Sequence, residues 1–366
     1  GPALRVYGGW GTPDPPYLEL LPRHIARACT QAMDNLQEAT LAHAEVPCQG
    51  IAINRVYDKF RAETVEEVLD DDWQPDKPEE TDATCHVLRV DAGGRMIGFA
   101  SYYGCHPVIG GGGSRKIHGD WPGVATNLLE RLHPGVNGLF LQGAQGDINA
   151  CVVCSDEGDA LRALDAVAAR YARFVLQGLE EAQPVEVDTL RTVQKRVAFS
   201  RKPWDQAKLA ALLAEQEEIL HAPDARDADR EVRMAMVYAE ALRSLLARLD
   251  AGESLIPQSE LMGLRVGPIE FLGCPFEVFR AIKNEVVAGA RAEIPLVMGF
   301  ANDSQGYATD RTAAAKGGYE ADRVPFICRQ LPFADIHTEL VRELLALDAA
   351  LAGWGRTTTK PFTRDG

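Results

Sequence analysis

Four times along this chain an apolar run of strand length stops abruptly at a polar or glycine-rich turn, and this recurrence constrains the fold more than any other feature. Phe99-Ala100-Ser101-Tyr102-Tyr103 stops at Gly104-Cys105-His106-Pro107, and Gly138-Leu139-Phe140-Leu141 stops at Gln142-Gly143-Ala144-Gln145-Gly146-Asp147. Ile269-Glu270-Phe271-Leu272 stops at Gly273-Cys274-Pro275-Phe276-Glu277, and Val297-Met298-Gly299-Phe300 stops at Ala301-Asn302-Asp303. A short apolar run between turn signals reads as a buried strand. In layered α/β proteins the ends of such strands converge on one edge, where binding sites form.

Helical periodicity fills the intervals. Leu18, Leu21, Ile25, Cys29, Met33 and Leu36 recur at helical spacing, so one amphipathic helix is expected over 17–41, after the turn-rich Gly11-Thr12-Pro13-Asp14-Pro15-Pro16. Further helices are expected at 121–132, 159–179, 277–288 and 336–349. Strands are expected at 49–55, 85–90, 96–103, 139–141, 260–266, 269–273 and 296–300, with Asp91-Ala92-Gly93-Gly94 as a hairpin turn. Between 203 and 250 the chain is dense in Ala, Leu, Glu and Arg and broken at Ala222-Pro223-Asp224, which reads as an inserted helical hairpin packing on the same core. The expected fold class is therefore α/β, with layered mixed β-sheets flanked by helices. No repeat or linker divides the chain, so 1–366 reads as a single domain.

A net charge of -15, with no Lys/Arg run interleaved with aromatics, repels phosphate backbones and argues against a nucleic-acid partner. No stretch approaches the roughly 20 apolar residues that cross a bilayer. A soluble protein is expected, with the cytoplasm the favoured compartment and secretion left open. The 8 cysteines show no disulfide rhythm. Cys151-Val152-Val153-Cys154 lacks the second close pair a structural zinc site needs, leaving a local disulfide or plain packing.

The strand ends carry the candidate chemistry. Pro107 restricts the backbone of His106 and aims its imidazole, either as a metal ligand or as a hydrogen-bonded core histidine. The glycine-rich run 109–116 lacks the Gly-Lys-Ser/Thr ending of a phosphate loop and reads as a rim loop. Asp120, in His118-Gly119-Asp120-Trp121, is placed as a helix N-cap. Asp147 and Asn149 are polar groups on an otherwise apolar element, and Glu277, at an expected helix start, is either a cap or a ligand.

Taken in order, Asn54-Arg55, His106-Pro107, Gln142-Gly143 with Gly146-Asp147, Pro275-Phe276-Glu277, and Asn302-x-x-x-Gly306-Tyr307 followed by Tyr319-Glu320 form a pattern that resembles the catalytic domain of the neutral/alkaline ceramidases, from Gly1 to about Gln330. The resemblance implies a zinc-dependent hydrolase of an N-acyl amide bond, in which a metal-activated water attacks the carbonyl of a lipid or other small-molecule substrate. It implies His106, Glu277 and Tyr307 as Zn2+ ligands. It further implies that Arg55 holds the polar group of the substrate, and Asn54 and Tyr319 are expected as further substrate contacts. Arg55, Tyr307 and Asn149 are then expected to stabilise the oxyanion, with Asp147 and His118 the nearest candidates for proton handling.

The sequence departs from the family in two places. The family's first zinc histidine lies in a His-Thr-His-Ser-Gly-Pro motif. Gly1-Pro2-Ala3 matches its end, which places that ligand upstream of residue 1 unless Gly1-Pro2 is left over from a fusion. Asn149 stands where the family has the serine of Gly-Asp-x-Ser-Pro-Asn, and an amide cannot serve as a hydroxyl nucleophile. A hydrolase of another N-acyl compound or ester, or a non-catalytic binding protein, is the alternative. No counterpart of the family's C-terminal immunoglobulin-like domain is expected within 1–366.

Overall fold

Period-two alternation along the strands settles the architecture, because adjacent residues of one strand enter different cores. The computed structural model describes residues 14–58, 62, 64–70, 72–111, 116–154 and 156–353; the end of the His-Thr-His-Ser-Gly-Pro-like motif and positions 112–115 of the glycine-rich loop lie outside them. The first half of the chain runs α1 (Pro15–Asp34), β1 (Thr40–Pro47), β2 (Ala52–Asn54), α2 (Val65–Leu69), β3 (Thr84–Ala92), β4 (Arg95–Tyr103), α3 (Asp120–Leu132), β5 (Asn137–Gln142), β6 (Ile148–Ala150) and α4 (Glu157–Glu181). After β7 (Gln183–Val185) and β8 (Leu190–Val197) come α5 (Gln206–Leu220) and α6 (Arg230–Asp250). The rest is β9 (Ser259–Val266), β10 (Ile269–Gly273), β11 (Glu277–Val278), α7 (Arg280–Gly289), β12 (Ile294–Met298), β13 (Tyr307–Ala308), α8 (Arg311–Lys316), α9 (Val324–Ile327) and α10 (Ile336–Ala352).

One sheet has the order β5-β4-β3-β1-β7 and the other β12-β10-β9-β8. Both are mixed: β4 pairs parallel with β5 and antiparallel with β3, and β10 pairs parallel with β12 and antiparallel with β9. On β4, Phe99 and Tyr103 enter a core with Val167 and Tyr171 of α4. Ala100 and Tyr102 enter a different core with Ile269, Phe271 and Leu296 of the second sheet. Leu272 and Val297 in turn face Ile282 of α7 and Leu344 of α10. The layers are therefore helix, sheet, sheet, helix, and the α/β expectation holds. The buried Tyr102 hydroxyl joins the two sheets directly, donating to the Val297 carbonyl at 2.9 Å. The β3–β4 turn is made by Gly93 and Gly94 at φ 58° and 77°, the left-handed pair that a two-residue hairpin demands.

The inserted helical hairpin forms as expected from α5 and α6, with Leu209, Leu242 and Leu245 packed against Phe326 and Leu331. Other boundaries differ. The first helix ends at Asp34; 35–39 are turn and coil, and the last two residues of the expected helix, Thr40 and Leu41, open β1, in which Ala42, Ala44 and Val46 are buried alternately and which pairs with β3 from Thr40↔Asp91 to Pro47↔Thr84. The apolar stripe of α1 finds no cover among the described residues, with Tyr17, Ile25 and Met33 more than half exposed. The helix expected at 277 begins at Arg280, because the Glu277 amide donates to the Gly306 carbonyl at 2.9 Å and Glu277-Val278 becomes β11. The strand expected at 49–55 is shortened to β2, paired with β6. Cys151 and Cys154 are free and buried, so packing is the outcome there. No helix among the described residues is long and apolar enough to cross a membrane.

Candidate functional site

His106 is held from three sides. Its backbone amide and its Nδ1 both meet the Ile148 carbonyl, at 2.9 and 3.0 Å, and Trp121 Nε1 donates to its carbonyl at 3.2 Å. A carbonyl only accepts, so Nδ1 carries a hydrogen and Nε2 faces outward, toward Glu277. Nε2 lies 2.6 Å from Glu277 Oε2. A carboxylate oxygen and an imidazole lone pair at that distance repel unless a cation, either a proton or a metal ion, lies between them.

Short parallel pairing brings in the third group. β11 and β13 pair with Glu277 opposite Tyr307, so two side chains distant in sequence leave adjacent strands side by side. The Tyr307 ring centroid is 6.3 Å from that of His106. Glu277 and Arg55 are the charged groups that act on its hydroxyl. Burial, and then the Glu277 charge, hold the phenol well above its ordinary pKa. The turn before β6 must pass close to β11: the Gly146 amide donates to the Val278 carbonyl at 2.8 Å, and a Cβ on Gly146 would meet the Glu277 carbonyl at 2.5 Å. Only glycine fits there.

Arg55 closes the group. Its Nη2 donates to the Gly146 carbonyl at 2.8 Å and pairs with Glu320 at 3.1 Å, and the guanidinium stands 5.2 Å from the Tyr307 ring centroid. Its Nε is buried without an acceptor. Tyr319 is next to Tyr307, with ring centroids 6.4 Å apart, and it also lines a groove of about 1030 Å³ with Leu212, Met234, Tyr238 and Phe326.

The remaining candidates stand behind or beside this group. The Asn54 amide is committed to scaffolding: it donates to Asp147 Oδ2 at 2.8 Å and to the Glu80 carbonyl, and it accepts from the amides of Val56 and Tyr57. Asp147 is buried, with Oδ1 accepting from the Arg280 amide at 2.7 Å, and burial pushes its carboxyl up to about 6 despite these donors. Oδ1 thereby fixes the start of α7, just past Glu277, while Oδ2 is held by Asn54. Asn149 is half-buried in the middle of β6, opposite Ile53 and one residue from the carbonyl that anchors His106. His118 Nδ1 accepts from the Asp120 amide at 3.0 Å. Asp120 itself is not the N-cap, a position taken by Gly119. At φ 51° its carboxylate accepts instead from the amides of Ile109, Gly110 and Trp121 and ties down the glycine-rich loop.

Glu320, part of the sequence pattern but given no role there, is the opposite charge that the half-buried Arg55 requires. The Arg280–Glu80 ion pair and the Ile148 carbonyl had no signal. No family model and no curated protein sequence matches this chain. In fold it is similar to the neutral ceramidase from Pseudomonas aeruginosa, with TM-score 0.62 and 17% identity over 92% of this chain and 56% of that one. A ceramidase complexed with C2 is similar at TM-score 0.61 and 17% identity, over 92% of this chain and 57% of that one. The chain thus spans a little over half the length of each, and what the likeness shows is a ceramidase-like fold.

Proposed function

We propose that this chain is a zinc-dependent hydrolase of an N-acyl amide bond, ceramidase-like in its chemistry, acting as one catalytic domain over 1–366. The observation that carries the reading is the 2.6 Å approach of His106 Nε2 to Glu277, 171 residues away, with Tyr307 and Arg55 packed on the same pair. Nε2, the Glu277 carboxylate and the Tyr307 hydroxyl would hold the ion. N and O donors of this kind suit catalytic zinc, and an imidazole whose other nitrogen is tied to a carbonyl is the usual way of orienting such a ligand. Bound there, zinc supplies an activated water and polarises the substrate carbonyl.

The protein's own groups do the rest. Arg55 is fixed by Gly146 and Glu320, so its Nε–H is a preorganised donor for the oxygen on which negative charge develops; one such donor contributes about 3 kcal/mol to the barrier. Tyr307, packed beside the Arg55 guanidinium, faces the same oxygen. Asn149 offers an amide that positions water rather than a nucleophile, so the attacking oxygen comes from water. Asp147 and Asn54 hold β2, β6 and α7 in register. The apolar groove that Tyr319 shares with Leu212, Met234 and Phe326 suits the acyl chain of a lipid amide.

The test is hydrolysis of short- and long-chain N-acyl substrates by the zinc-loaded protein. His106→Ala and Glu277→Gln should each lose zinc and at least about 100-fold in rate, and Arg55→Lys should lower kcat more than it raises KM. Parental zinc content and turnover in Glu277→Gln would sink the proposal. Turnover of non-sphingoid amides would widen the substrate class.

A further inference from the structure

A second cluster of metal-binding side chains lies on the first sheet, among residues that the proposed hydrolase site does not use. β1 and β3 pair with Glu45 opposite His86 and His43 opposite Leu88. Alternation therefore puts His43, Glu45 and His86 on one face, the face from which Leu41, Leu88 and Tyr102 enter the core between the sheets. His43 Nε2 is 3.1 Å from His86 Nδ1, and that nitrogen is 3.6 Å from Glu45 Oε1. One ligand atom from each of the three lies within 4.8 Å of the others.

These separations have a chemical meaning. Ligand atoms about 2.1 Å from a tetrahedral ion stand about 3.4 Å from one another. The observed gaps of 3.1 and 3.6 Å bracket that value before any side chain moves. Two ring nitrogens face each other, so at least one presents a lone pair, with a carboxylate beside them. Two imidazoles and a carboxylate form the donor set of zinc and its first-row neighbours; calcium and magnesium prefer oxygen alone. His43 and Glu45 line an open depression of about 460 Å³ together with Glu181, Gln183 and Glu293, so water can reach the cluster in a negative field. Lys283, a cation that acts on His86, is paired with Asp82 at 2.9 Å.

We propose that His43, Glu45 and His86 form a divalent transition-metal site distinct from the His106–Glu277–Tyr307 group, clamping β1 to β3 where Glu293 leads into the second sheet. The proposal does not depend on the reading of that other group.

Zinc bound per chain, measured by elemental analysis after dialysis against ZnCl2, tests it. The double variant His43→Ala/His86→Ala should carry one equivalent less than its parent, both with His106 intact and in a His106→Ala background. Cobalt(II) substitution should show a visible d–d band that disappears with the same double variant. Unchanged zinc stoichiometry in the double variant overturns the proposal. Should that variant fail to fold, the unaltered protein decides: zinc must shield His43 and His86 from diethyl pyrocarbonate in peptide mapping, and equal modification with and without zinc overturns it.

Discussion

Acidifying this protein from pH 7 to pH 4 should relieve a cost built into its site, and Asp147 is the group responsible. Burial raises its carboxyl from 3.8 to about 6, although the Arg280 amide and the Asn54 side chain donate to it. The folded state therefore keeps this proton up to about pH 6, while the unfolded chain releases it near pH 4. Between those values the folded state binds more protons, so stability falls as pH rises. The contribution is fully present below about pH 4 and lost above about pH 6. At about 1.4 kcal/mol per pKa unit, it amounts to about 3 kcal/mol. Asp147→Asn removes the titration. It also exchanges one accepting oxygen for an amide that faces a donor, at about 1–3 kcal/mol. Urea unfolding followed by circular dichroism from pH 4 to 7 should show a falling stability curve for the parent and a flatter one for the variant. Parallel curves across pH 4–6 would refute the assignment, because every other titrating group is common to both proteins.

Three further outcomes follow from buried polar groups. Glu270 is fully buried and pushed up to about 8 by burial and then by Asp348, so stability falls as pH rises toward 8. The parent should lose about 1 kcal/mol between pH 7 and pH 9, a loss that Glu270→Gln should not share in urea titrations. Arg170 is buried and donates to the carbonyls of Gly50, Val68 and Asp70 at 2.6, 2.7 and 2.9 Å; Arg170→Met should cost about 3–5 kcal/mol, read as a lower Tm. Tyr102→Phe strips the Val297 carbonyl of its donor between the sheets and should cost about 1–2 kcal/mol by denaturant midpoint.

Much of the architecture was legible because local periodicity and the layered fold agree. The hairpin at Gly93-Gly94, the α5–α6 arm and the paired strands β9 and β10 follow from residue patterns a few positions long. Errors arose where two periodicities fit the same residues. The helix expected over 17–41 overruns Asp34 and takes in Thr40 and Leu41, and only pairing with β3 makes 40–47 a strand. Glu277 sits at a plausible helix start, and only hydrogen bonding to the Gly306 segment pulls it into β11.

The sequence alone determined which side chains could carry chemistry and in what order: an imidazole aimed by Pro107, a carboxylate after Pro275, and a phenol after Gly306. Their meeting was a matter of tertiary structure. The Glu277↔Tyr307 register, the Ile148 carbonyl that orients His106, and the diagonal of His43 and His86 across β1 and β3 all depend on backbone hydrogen bonds between distant segments. Backbone groups are the same in every residue and leave no trace in composition or spacing, so the long-range pairing that spends them appears only when the sheets are assembled.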